Sequence, residues 1–177
     1  MHAHLPSQPD ELYMRLALEQ AHLAYQRGEI PVGAVAVHRN QVIAQAYNTK
    51  EQSKDPTAHA EMTAMRIAAQ HLGGWRLIDV TLYCTMEPCP MCAGTMVQAR
   101  LPRLVYAIDD PKAGAAGSIL DLLNHPQLNH HVQVTKGILA DETNALLDNF
   151  FRDLRGGRLP RYSQAWKARQ LAKKVKQ

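Results

Sequence analysis

Five residues set the chemistry of this chain: His59 and Glu61 in His-Ala-Glu, and Pro88, Cys89 and Cys92 in Pro-Cys-Pro-Met-Cys. One imidazole and two thiolates suit zinc, which takes four ligands in tetrahedral geometry and favours nitrogen and sulfur. Three protein ligands are one short of a closed structural site. The open position is where a reactive water binds, and zinc lowers the pKa of that water to about 7. Glu61 lies two residues from the imidazole, so on a helix it points away from His59. That places it better for handling a proton than for holding the metal. The pattern predicts metal-assisted hydrolysis.

Other uses of Cys-x-x-Cys fit less well. A structural four-cysteine site needs a second pair, and the only other cysteine is Cys84, five residues before Cys89 in a strand-like run. Cys84 reads as a small buried apolar residue. A thioredoxin-like redox pair leaves the upstream His-x-Glu unexplained.

The elements that carry these residues can be anticipated. A helix opened by Pro88 puts both sulfurs on one face of its first turn, where the helix dipole favours thiolate. Asp55-Pro56-Thr57 reads as the capped start of the His59 helix. Apolar periodicity predicts an amphipathic helix over 10–26, strands over 32–38 and 41–47 joined at Arg39-Asn40, and a strand over 79–85. Further strands are expected over 104–108 and 132–136, a short helix over 119–124, and a helix over 141–154. Alternating strands and helices indicate a layered α/β domain.

The His-x-Glu and Pro-Cys-x-x-Cys pair resembles the zinc-dependent nucleoside and nucleobase deaminases. Longer stretches narrow the resemblance to bacterial tRNA-specific adenosine deaminases, which convert the wobble adenosine of an anticodon to inosine. They are residues 28–34 (Gly-Glu-Ile-Pro-Val-Gly-Ala), 55–61 (Asp-Pro-Thr-Ala-His-Ala-Glu), 77–79, 85–94, 112–118 (Lys-Ala-Gly-Ala-Ala-Gly-Ser), 129–130 and 137–142. The resemblance implies a three-layer α/β/α fold, a five-stranded mixed sheet with helices on both faces. It implies one Zn2+ per subunit held by His59, Cys89 and Cys92, with Glu61 as proton shuttle. Substrate contacts are implied at Asn48, Ala60, Asp110 and Lys112, along with a tRNA anticodon stem-loop as partner and a homodimer. Pro111, and the lead-in 44–47 before Asn48, depart from the usual family pattern.

Composition agrees with a single core-bearing domain: 177 residues, 46% hydrophobic. The absence of a long apolar run or leader-like segment, and only three cysteines, point to a cytoplasmic protein with no membrane role. Of the 20 basic side chains, eight lie in residues 155–177 with no acid. Residues 1–154 therefore hold 12 basic against 16 acidic, a net of −4. The expected organisation is a deaminase domain over 1–154 and a basic extension over 155–177, joined at Gly156-Gly157. The extension reads equally well as phosphate-contacting or as a solvated terminus. Lys112 could meet a phosphate, and Ser118 could cap the next helix.

The leading expectation is hydrolytic deamination of adenosine in a tRNA anticodon. A guanine or cytosine deaminase acting on free small molecules shares the metal site and is the alternative. A non-catalytic zinc-stabilised RNA-binding module is a third reading, which the acid at Glu61 opposes.

Overall fold

The computed structural model describes residues 8–159. Ten elements follow in order: α1 (Gln8–Gln26), β1 (Gly33–His38), β2 (Gln41–Tyr47), α2 (Lys50–Ser53), α3 (Ala60–Leu72), β3 (Val80–Met86), α4 (Pro90–Gln98), β4 (Arg103–Ile108), β5 (Gln133–Lys136) and α5 (Ala140–Gly156). The strands form one sheet in the order β2-β1-β3-β4-β5. β1 runs antiparallel to both β2 and β3, while β3, β4 and β5 are mutually parallel, so the sheet is mixed as anticipated. No helix among the described residues is long and apolar enough to cross a membrane.

Side-chain alternation along the strands divides the core into two layers. Ala34, Ala36, Leu82, Cys84, Leu104 and Tyr106 face α3 and α4. Val35, Val37, Tyr83, Val105 and Ala107 face the opposite side, where Tyr13, Met14 and Ala17 of α1 pack. The α3 side is lined with alanine: Ala34, Ala36, Ala44 and Ala46 of the sheet meet Ala60, Ala64 and Ala68 of the helix. Small residues on both surfaces let the α3 backbone come close to the sheet and fix its N-terminal end.

Two backbone details hold this frame. Arg39 and Asn40 both adopt positive φ (49° and 65°), the two-residue hairpin turn that suits strand twist. A Cβ on Gly33 would lie 2.0 Å from the Ala17 carbonyl oxygen, so α1 crosses the start of β1 at a spacing only glycine permits.

Three local expectations are corrected. Residues 119–124 form no helix. They turn back in an isolated bridge between Ala116 and Asp121, and the Ser118 N–H and hydroxyl bond to Glu87 rather than capping a helix. The cysteine helix opens at Pro90, with Cys89 as its N-cap, not at Pro88. Asp55 accepts from the N–H and hydroxyl of Thr57, closing a tight turn ahead of α3, whose N-cap is His59. At the C-terminal side, α5 continues through Gly156 and stops at Gly157 in the left-handed conformation. Arg155 and Arg158 belong to the described residues, and the rest of the basic extension, 160–177, lies outside them.

Candidate active site

His59 and Cys89 occupy the N-cap positions of α3 and α4. Both have the extended backbone of an N-cap residue, and each carbonyl accepts the first helical bond, from Thr63 and Ala93 respectively. Neither side chain caps its own helix. Both turn toward Cys92 in the first turn of α4. Cys89 Sγ lies 3.6 Å from His59 Nδ1, Cys92 Sγ lies 3.7 Å from the same nitrogen, and the two sulfurs are 3.7 Å apart.

These separations test whether zinc fits. With Zn–S near 2.3 Å and Zn–N near 2.05 Å, tetrahedral angles require a sulfur–sulfur edge of about 3.8 Å and sulfur–nitrogen edges of about 3.6 Å. The triangle matches. A disulfide is excluded by the sulfur separation, and both cysteines are free. Among the described residues, His59, Cys89 and Cys92 are the one group of three or more His, Cys, Asp or Glu side chains that could hold a metal, and no fourth such donor joins it. Cys84 is fully buried in β3 and lies outside this group.

The electrostatics are those of a preformed thiolate site. The hydrogen bond between the two sulfurs, with help from His59, pulls the Cys89 thiol down to about 4 despite burial. The more deeply buried Cys92 is raised, held up first by Cys89 and then by burial. His59 is raised chiefly by the Cys89 sulfur, with Glu61 adding to it and burial opposing. Glu61, only 3% exposed, is pushed up to about 7 by burial. Its carboxyl can thus gain or lose a proton near neutral pH, as a general acid–base group requires.

A cleft of about 160 Å³ opens onto these groups, lined by His59, Glu61 and Cys89, with Asn48, Asp110 and Glu87 among the polar walls. That volume is below the roughly 300 Å³ of a typical small-ligand pocket. It suits one inserted group with the rest of the substrate outside. Of the sequence-expected contacts, Asn48 and Asp110 line the cleft. Ala60 is buried at the start of α3, and Lys112 is exposed outside the lining; neither is part of the cleft wall. Lys50 is in the wall instead, at the start of α2.

Two buried carboxylates were not singled out by residue type. Glu29 (1% exposed) accepts from Asn48 Nδ2 at 3.3 Å and from the N–H groups of Glu51 and Gln52 at 3.1 and 2.6 Å, fixing the segment that carries Asn48 and Lys50. One amide hydrogen of Asn48 is thereby committed, leaving its second N–H and its oxygen for a ligand. Glu87 (2% exposed) binds the loop 110–118. The available sequence signal was an acid set in an apolar surround, at Glu29-Ile30-Pro31-Val32 and Thr85-Met86-Glu87-Pro88.

Four known proteins or families resemble this chain. Residues 9–155 match the family of the MafB19-like deaminases. A tRNA-specific adenosine deaminase of Bacillus subtilis (strain 168) is 44% identical over 146 residues, 82% of this chain and 91% of the relative. A solved structure from work on A-to-I editing by tRNA:A34 deaminases at the wobble position superposes with a TM-score of 0.74 at 40% identity, covering 77% of this chain and 99% of that one. A guanine deaminase from Nitrosomonas europaea shares the fold, with a TM-score of 0.69, but only 23% of its sequence, over 85% of this chain and 95% of its own.

Proposed function

The chain belongs to the deaminase family that includes the tRNA-specific adenosine deaminases, and on that premise we propose that it hydrolyses the wobble adenosine of a tRNA anticodon to inosine. The observation that carries the reading is the His59–Cys89–Cys92 triangle sharing one cleft with the buried carboxyl of Glu61. The net reaction consumes one water and releases ammonia.

His59 through Nδ1, and Cys89 and Cys92 through their sulfurs, would hold one zinc ion. When bound, zinc supplies Lewis acidity that makes a neighbouring water easier to deprotonate near neutral pH. Glu61 takes the proton of the attacking water, delivers it to the purine N1, and then assists departure of the amine from C6. Its poise near neutrality supports both directions of transfer. The base must leave its stack to enter, which costs a few kcal/mol, least in an unpaired loop. The small cleft is consistent with one flipped base.

Asn48 and Asp110, both lining the cleft, are proposed to contact the base and its sugar. Ala60, beside Glu61, and Lys112, reaching a phosphate from outside the cleft, complete the proposed set. A homodimer follows from the family resemblance, and a cytoplasmic location from the proposed substrate.

The deciding experiment incubates the zinc-loaded protein with a tRNA bearing an ACG anticodon and reads inosine, with free adenine, guanine and cytosine in parallel. Inosine from tRNA with no turnover of free bases supports the proposal. Turnover of guanine or cytosine alone overturns it in favour of a small-molecule deaminase.

A further inference from the structure

Glu87 has no part in the reaction as described, yet it is the most heavily used acceptor near the site. Its carboxylate takes the backbone N–H groups of Asp110 (2.8 Å), Ala116 (2.9 Å) and Ser118 (3.0 Å), and also the Ser118 hydroxyl. All four donors belong to one loop, 110–118. The same loop is tied to the residue before Cys89 by a bond from Ala115 N–H to the Pro88 carbonyl at 2.8 Å. Glu87 is itself fixed by its own N–H, which donates to Ile108 at 2.9 Å. Asp110 and Ala113 of this loop form one wall of the cleft, and Cys89 lies two residues beyond Glu87.

Gly114 records how tightly the loop closes on the carboxylate. A Cβ there would lie 2.2 Å from Glu87 Oε2 and 2.6 Å from the Asp110 carbonyl oxygen. Those atoms are held by the bonds just described, so glycine is required for the close approach.

We propose that Glu87 is a positioning residue that holds the Asp110–Ala113 wall in register with the His59–Cys89–Cys92 group, so that an inserted base meets Glu61 in a reactive orientation. A carboxylate suits this task because its two oxygens offer about four acceptor sites, enough for all the loop donors at once. A carboxamide has one acceptor oxygen. In Glu87→Gln that oxygen best serves Ala116 and Ser118, while the new NH2 can donate to the Ser118 hydroxyl. The Asp110 N–H then faces another donor and is released.

This inference rests on the proposed deaminase reading and deepens it. Most RNA affinity comes from phosphate contacts outside the cleft. Misalignment of one wall therefore lowers kcat and leaves KM nearly unchanged. The test uses the full-length, zinc-loaded protein with a tRNA carrying a wobble adenosine. For Glu87→Gln the expected result is a full zinc complement, amide exchange at Asp110 faster by about tenfold or more, and kcat lower by roughly 10- to 100-fold with KM within about threefold.

Gly114→Ala displaces the loop while leaving the carboxylate in place, and provides a second route if Glu87→Gln does not fold. The double variant loses no more activity than the worse single one, because both act through the same contact. Wild-type kcat in Glu87→Gln despite faster exchange at Asp110 overturns the proposal. So does additive loss in the double variant, or loss of zinc, which would make Glu87 a support for Cys89 alone. Failure of the wild-type protein to form inosine refutes the RNA reading instead, and the exchange measurement still decides whether Glu87 clamps the loop.

Discussion

His59 and Cys89 cap two different helices, and their side-chain atoms meet 3.6 Å apart. Each helix therefore gives up its own side-chain cap to direct a donor at the shared point. The compensation is electrostatic: two N-terminal dipole ends converge where thiolate and carboxylate charge must reside.

Glu61→Gln keeps the size of the side chain but removes its ability to accept and return a proton. It is expected to retain one zinc per chain while losing roughly 100- to 10,000-fold in kcat. Elemental analysis beside a single-turnover inosine assay checks both halves. Near-normal turnover in the metal-loaded variant would sink the proton-shuttle role.

Cys89→Ala leaves two of the three proposed ligands, too few for a stable site. Zinc content should fall below about one tenth per chain under conditions where the wild-type protein is fully loaded. Retention of stoichiometric zinc would mean that another donor replaces the sulfur.

Acid stability should carry a signature of Glu87. Burial pushes its carboxyl up, but the donors from Ser118, Asp110 and Ala116 outweigh that and leave it below the ordinary carboxylate range. A depressed folded-state pKa means that the ionised form stabilises the fold above the unfolded value near 4.3, and that this contribution is lost as pH falls through the folded value. The stability advantage of wild type over Glu87→Gln should be flat above about pH 5 and should shrink as pH drops below about 4.3. Denaturant melts at several pH values give the curve. An advantage that grows in acid contradicts the assignment.

The alanine surface beneath α3 allows no enlargement. Ala64 is fully buried in the layer that also holds Ala34 and Ala36. Ala64→Leu should cost about 1–3 kcal/mol by overpacking. By displacing the start of α3 it should also weaken zinc binding. Equilibrium denaturation together with a competitive chelator titration measures the two effects, and loss of stability with unaltered zinc affinity would separate the helix from the site.

Lys112 is exposed and stands outside the cleft lining. If it meets a phosphate, Lys112→Ala should lower the salt dependence of tRNA binding by about one unit of slope and leave kcat within about twofold. Binding isotherms over a range of salt concentrations check it, and an unchanged slope removes Lys112 from the contact set.

The grouping of His59, Cys89 and Cys92, with Glu61 on the same cleft, was legible because its motifs are local: His-x-Glu and Pro-Cys-x-x-Cys each sit within a single turn. The hairpin at Arg39-Asn40 was legible for the same reason, since two adjacent residues set the turn. What could not be read were structures decided by distant partners. Residues 119–124 carry a helix-compatible pattern, but the N–H groups of Ala116 and Ser118 that precede them are claimed by Glu87, about thirty positions upstream. The four-residue α2 likewise depends on Glu29, which takes the Glu51 and Gln52 N–H groups. In sequence a buried anchoring acid looks like any surface acid. Only the apolar neighbours of Glu29 and Glu87 hinted otherwise.

The strand order has a consequence for biosynthesis. β3 occupies the middle of the sheet, between β1 from earlier in the chain and β4 from later, and it runs directly into Cys89. A nascent chain that has completed only the first hairpin and α3 presents a solitary imidazole. The sulfurs reach it only once this central ribbon has slotted in, a long-range pairing that forms slowly. Any metal held by this group would therefore be captured late in maturation, once the sheet has closed around its middle.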